Sequence, residues 1–182
     1  MPRIIAVVGV SGVGKTTMLR TLCAKLDFQH LSAGKIIGDE RARRQEETAH
    51  DELRLADIND NQNLLIQGFL TTAETNTKLV ILDGHTVIHA KDKLQPIPPE
   101  VFGELGIGMF ILIRGNVDTI EKQRKMDQNR SRPELSRSQI EEHQDFAIDV
   151  TKFCADELKV PFHILEAGDE REFERVVSQF VA

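Results

Sequence analysis

Ile4-Ile5-Ala6-Val7-Val8-Gly9-Val10-Ser11-Gly12-Val13-Gly14-Lys15-Thr16-Thr17 joins an apolar run to a glycine-rich turn and then to the helical pattern TMLRTLCAKL. The run is short and β-branched, as a strand buried on both faces should be. Gly9 to Thr16 match G-x-x-x-x-G-K-[ST] between strand and helix, the context in which this spacing cradles phosphate. Its glycines let successive backbone N–H groups turn toward an anion, and the helix N-terminus adds a favourable dipole. Lys15 can reach the outer phosphates, and the Thr16 hydroxyl can ligate Mg²⁺. Gly9, Gly12, Val13, Gly14, Lys15, Thr16 and Thr17 are thus the expected contacts of a nucleoside triphosphate.

Working outward, four further apolar runs read as strands: Phe28 to Leu31, Leu79 to Leu82, Met109 to Ile113 and Phe162 to Leu165. Longer stretches of helical spacing separate them, and strands alternating with helices imply an α/β fold with a parallel sheet covered on both faces. Ser136 with Gln139, and Asp169 with Glu172, mark helix starts as capping boxes. In such folds ligands bind beyond the carboxyl ends of the strands, where loops begin near Gly9, Ser32, Asp83, Arg114 and Glu166.

The 182 residues suit one domain, spanning 1–182, and the net charge of −6 argues against a general nucleic-acid binder. The chain has no Trp or Tyr to stack bases, and no apolar run near the roughly 20 residues that cross a bilayer. A cytoplasmic protein without stable nucleic-acid or membrane partners is expected. Cys23 and Cys154 lie far apart without metal-ligand spacing and read as buried free thiols.

Asp83 closes the apolar strand KLVILD, where a carboxylate can hold the nucleotide's Mg²⁺ directly or through water. No N-K-x-D segment reads guanine, and Gly84-His85-Thr86 follows Asp83, so a GTPase is set aside. A small phosphoryl-transfer enzyme remains. Arg124, Arg130 and Arg132 then become informative, because transfer is catalysed mainly by positioning and charge neutralisation. They lie in QRKMDQNRSRPELS, where Pro133 discourages helix, and the segment reads as a lid over about 124–136.

In order along the chain, GVSGVGKTT, DELRLADINDNQ, DGHTVI, the arginine-rich lid and IEEHQ resemble the archaeal-type adenylate kinases, within the P-loop nucleoside monophosphate kinases. The resemblance implies a three-layer P-loop NTPase fold, with a five-stranded parallel sheet flanked by helices and a short arginine-rich lid. It implies ATP as donor, AMP as probable acceptor, and room for an oligomer. Arg54 would hold the acceptor phosphate, with Ser32, Gly34 and His85 on the acceptor side. Arg124, Arg130 and Arg132 would close over the phosphates with Lys15, and the purine would rest near Ala167 and Gly168. Where the wider group often has an arginine, this chain has Gly38, with Arg41 the nearest substitute. The serine in VSGVGKTT is shared with sugar-acid kinases such as gluconate kinase.

Two other readings stay open. A hydroxyl acceptor would gain from a general base, for which Asp39 or Asp83 could serve, giving a small-metabolite kinase. An ATPase switch acting on a protein or RNA is the other. His85 and His89 are four apart and would share a helix face, though a zinc pair lacks a third ligand. His143 either orients the lid hinge or lies on an exposed helix face, and KDKLQPIPP reads as an extended loop.

Overall fold

The computed structural model describes residues 2–47, 58–90, 93–126 and 135–182. In chain order the elements are β1 (Arg3–Val8), α1 (Lys15–Cys23), β2 (Gln29–Ser32), α2 (Ala33–Glu47), α3 (Ile58–Thr72), β3 (Leu79–Asp83), β4 (Val87–Ala90), β5 (Lys93–Pro96), α4 (Pro99–Glu104), β6 (Met109–Arg114), α5 (Val117–Met126), α6 (Arg137–Leu158), β7 (Phe162–Glu166) and α7 (Glu170–Val181). All five expected strands are present. They form one parallel sheet in the order β2-β3-β1-β6-β7.

Strand periodicity places alternate residues on opposite faces, and both faces are filled. Ile5 and Val7 of β1 join Ile81, Ile111 and Ile113 in one core with Met18, Leu19 and Leu22 of α1 and Phe173, Val176 and Val177 of α7. Ala6 and Val8 join Leu82, Phe110 and Leu112 in the other, with Leu65 and Phe69 of α3, Phe102 of α4, and Val150 and Cys154 of α6. Buried residues at i, i+3 and i+4 give α7 its apolar stripe. On that face Lys25 Nζ donates to Glu174 (2.6 Å) and the Thr21 hydroxyl to Glu170 (3.1 Å), tying α1 to α7.

The Ser136 capping box is complete: its hydroxyl accepts from Gln139 N–H, and the Gln139 side chain accepts from Ser136 N–H. Asp169 accepts from Glu172 N–H, but the Glu172 carboxylate binds Arg175 (2.7 Å), so only half of the second box forms.

Three expectations are corrected. The stretch after Asp83 is a hairpin, β4 pairing antiparallel with β5, so His85 and His89 share no helix and KDKLQPIPP contains a strand. Val87 and Ile97 bury against the sheet, and the Thr86 and Thr151 hydroxyls bond at 2.8 Å in the core. Cys154 is buried but Cys23, at the last position of α1, is exposed. His143 is buried, not on an exposed helix face.

The order places β1 at the centre, with the chain crossing to β2 on one side and later to β6 on the other. That reversal opens a crevice at the carboxyl end of β1, where such sheets bind ligands.

Candidate active site

At that crevice the chain leaves β1 through Gly9, whose φ of 144° is strained for any residue with a side chain. A Cβ there would lie 2.5 Å from the Ile113 carbonyl oxygen, a backbone atom that cannot move aside. The turn continues through Gly12 (φ 91°), over which the Arg124 stem lies so closely that a Cβ would meet its Cγ at 2.8 Å. Gly14 caps α1 without a side-chain oxygen, so no capping side chain competes with an anion for the amides of Lys15 and Thr16.

Lys15 is buried, and its Nζ donates to the carbonyls of Gly9 (3.0 Å) and Val10 (3.4 Å). It also lies 3.9 Å from Asp83 Oδ1. Asp83 ends β3 beside β1, and Gly84 N–H donates to Val7 O at 3.1 Å, which holds the two strand ends together. His85 Nδ1 is 2.7 Å from the Gly9 carbonyl. A carbonyl can only accept, so Nδ1 carries the proton and Nε2 of the neutral ring is an acceptor. His30 Nε2 lies 4.0 Å from the other Asp83 oxygen.

One cleft of about 650 Å³ runs across this edge. The phosphate loop from Ser11 to Thr17 makes one wall, and Ser32, Gly34 and Lys35 make the other, with Asp83, Gly84 and His85 on the floor and Gln123 at the rim. The pairing of Ser32 with Asp83 in register brings the second wall to the same height as the first. Arg124, in the last turn of α5, donates to the Ser11 carbonyl (3.3 Å) and so reaches the loop from above.

Of the residues expected at the site, the structure brings together the loop, Asp83, His85, Ser32, Gly34 and Arg124. Arg54, Arg130 and Arg132 lie outside the described residues, as does most of the lid. Arg41 is turned away and donates to Asn61 of α3, so it does not stand in for the arginine absent at Gly38. Asp39 is exposed and does not line the cleft.

Lys35 and Gln123 line the cleft without having been expected there; the only signal was their adjacency to Gly34 and Arg124. Gln144 was also missed. Buried on α6, it accepts from Gly115 N–H (2.8 Å) and donates to Gly115 O (3.0 Å), clamping the loop after β6. Ala167 N–H donates to Arg114 O at 2.7 Å, so the loops after β6 and β7 meet near the position expected for the purine.

Thr16 and Asp83 offer only oxygen ligands, which suit Mg²⁺. Among the described residues no group of three or more His, Cys, Asp or Glu could hold a metal. The donor set therefore fits an ion that arrives with phosphates and keeps few protein ligands. No helix among the described residues is long and apolar enough to cross a membrane.

The profile of the family described as AAA domain matches residues 8–141. The adenylate kinase of Thermococcus onnurineus is 24% identical over 185 aligned positions, covering 100% of this chain and 94% of that protein. That of Thermoplasma acidophilum is 29% identical over 140 positions, 76% of this chain and 75% of the relative. Among solved structures, a gluconokinase from Sinorhizobium meliloti superposes with TM-score 0.54 at 14% identity, covering 96% of this chain and 88% of that one. A shikimate kinase from Bacteroides thetaiotaomicron does so with TM-score 0.52 at 17% identity, covering 98% and 96%. At these identities the structural likenesses speak to the fold alone.

Proposed function

Because this chain belongs to the AAA domain family and is a phosphotransferase of the P-loop kind, we propose that it is a single-domain nucleoside monophosphate kinase, moving the γ-phosphoryl of ATP to AMP. The observation that carries this reading is that the phosphate loop and the Ser32-Gly34-Lys35 wall face each other across one cleft, with Asp83 between them. Such a cleft suits two ligands whose phosphates meet at its centre.

In this reading an oxygen of the AMP phosphate attacks the γ-phosphorus. The bond from that phosphorus to the β,γ-bridging oxygen breaks, its electron pair leaves on the donor, and two molecules of ADP result. The nucleophile is already an anion, so no strong base is needed, and charge is the main obstacle. Lys15 and the loop amides hold and neutralise the donor phosphates. Thr16 and Asp83 would hold Mg²⁺, which when bound draws charge from the phosphate oxygens. Arg124 lies over Ser11 and Gly12, within reach of the same phosphates, and Arg130 and Arg132 are proposed to join it from the lid. Arg54 is proposed to bind the acceptor phosphate, and the loop around Ala167 and Gly168 to support the purine.

A second reading, a hydroxyl-acceptor kinase of the gluconate type, draws support from the Nδ1–H···O bond of His85 to Gly9. That bond leaves Nε2 as an acceptor, as an alcohol nucleophile requires. The test is to incubate the protein with MgATP and each of AMP, GMP, CMP, UMP, dAMP and gluconate, following ADP and free phosphate. Diphosphate formation that depends on AMP, at two ADP per ATP consumed, is expected. Transfer to gluconate alone would establish the second reading, and phosphate release without transfer would establish an ATPase switch.

A further inference from the structure

We infer that Lys35 receives the acceptor's negative charge, and that the acceptor is therefore an anion, a phosphate monoester or a carboxylate, and not a neutral alcohol. This rests on the kinase reading and assigns the half of the cleft opposite the phosphate loop.

Two lysines line the cleft. Lys15 is committed to the loop carbonyls and lies beside Asp83. Lys35 stands on the other wall, exposed to the cleft, and makes no ion pair or hydrogen bond among the described residues. The other cations described on α2 behave differently. Arg41 binds Asn61, Arg43 binds Glu40 at 2.9 Å, and Arg44 binds Asp60 and Gln67. Arg41 and Arg44 tie α2 to α3 and Arg43 pairs within α2, whereas Lys35 does neither.

Its position is also unfavourable for the fold. Lys35 sits in the first turn of α2, where the helix dipole repels a cation, and that turn holds no acidic residue to offset it. An anion over the turn reverses the sign of both effects, because it meets the ammonium and the positive end of the helix dipole together. Space for it is present: a Cβ at Gly34 would meet nothing within 4 Å. The cation expected at Gly38 or Arg41 is thus supplied from Lys35, one turn nearer to Asp83 and the donor loop. An uncharged alcohol would leave Lys35 without a counter-charge from the acceptor.

The experiment compares wild type with Lys35→Ala, Lys35→Arg and Lys35→Glu. Steady-state kinetics would be measured for AMP, gluconate and adenosine as acceptors, with calorimetric titration of AMP and gluconate in the presence of a non-hydrolysable ATP analogue. For the acceptor that wild type uses, Lys35→Ala should raise KM at least tenfold and leave the KM for ATP within about twofold. Lys35→Arg should recover most of the loss and Lys35→Glu should deepen it. The melting temperature of Lys35→Ala should not fall, because the lysine opposes the dipole. If the same shift appears with gluconate while AMP is not a substrate, the inference stands and the AMP reading fails. If AMP is phosphorylated with unchanged KM in Lys35→Ala, the AMP reading stands and the inference fails. Equal effects on ATP, efficient phosphorylation of adenosine, or no binding of either anion to wild type would overturn it. Should no transfer be detectable, weakened anion binding in Lys35→Ala would support it, and equal binding would refute it.

Discussion

Replacing Gln144 by leucine keeps the volume of a buried side chain on α6 and removes both of its hydrogen bonds to Gly115. Each such bond contributes about 1 kcal/mol net. Leucine and glutamine have nearly the same helix propensity, so the backbone of α6 adds little. Removing one partner while the other stays half-buried is the costly case, since Gly115 N–H and C=O then lack the amide they faced. The sum is about 2–3 kcal/mol. For a chain of this length that corresponds to a fall in melting temperature of roughly 4–12 °C. The loop also abuts the proposed donor site, because Gly115 packs so tightly on Val13 that a Cβ there would lie 2.9 Å from its Cγ2. A several-fold rise in the KM for ATP should therefore accompany the loss of stability. Gln144→Glu should fall between wild type and leucine, since a carboxylate accepts from Gly115 N–H but cannot donate to its carbonyl. Thermal and urea denaturation with steady-state kinetics would check this. A melting temperature within about 1 °C of wild type would refute the reasoning, because it would mean that water replaces the amide at no cost.

Lys15→Ala should lower transfer by roughly 10²-fold or more with little change in the unfolding midpoint, and retained turnover would contradict the donor assignment. Arg132→Ala should reduce turnover at least about tenfold with a smaller effect on ATP binding; rapid-quench measurement showing wild-type turnover would remove it from the mechanism. The two thiols should separate cleanly. Burial, reinforced by Glu100, pushes the Cys154 thiol up to about 11, while Cys23 is exposed. At pH 8 a disulfide reagent should label one thiol promptly and the second only on unfolding. Because the folded state holds the Cys154 proton to higher pH than the unfolded chain, that group's contribution to stability is intact below about pH 9 and declines as pH rises toward 11. Denaturation midpoints measured across that range would show no decline from this group if the thiol were exposed, because its pKa would then be the same folded and unfolded.

Local chemistry was enough for some features. The run from Ile4 to Val8, the glycines at 9, 12 and 14 and the helix opening at Lys15 specify strand, turn and helix through contacts within a few residues. The Ser136 box is equally local, since cap and partner are three residues apart. Alternation of apolar runs with helical spacing was likewise enough for the parallel sheet and for which loops share its carboxyl edge. The hairpin escaped notice because its runs are four residues each and one ends in Pro96, which argues against a strand. Packing of Val87 and Ile97 against the sheet overrides that preference.

Other features depend on residues distant in the chain. Gln144 reaches a glycine 29 positions earlier, and Arg41 an asparagine 20 positions later. Whether Cys23, Cys154 and His143 meet solvent depends on which helix face the sheet covers. Sequence alone determined the phosphate cradle, its flanking strand and helix, and the order of the layers, because short-range backbone hydrogen bonding and side-chain periodicity encode them. Tertiary structure alone decided that Lys35 faces the cleft while Arg41 does not, because the register between β2 and β3 and the rotation of α2 are set by packing summed over the whole core.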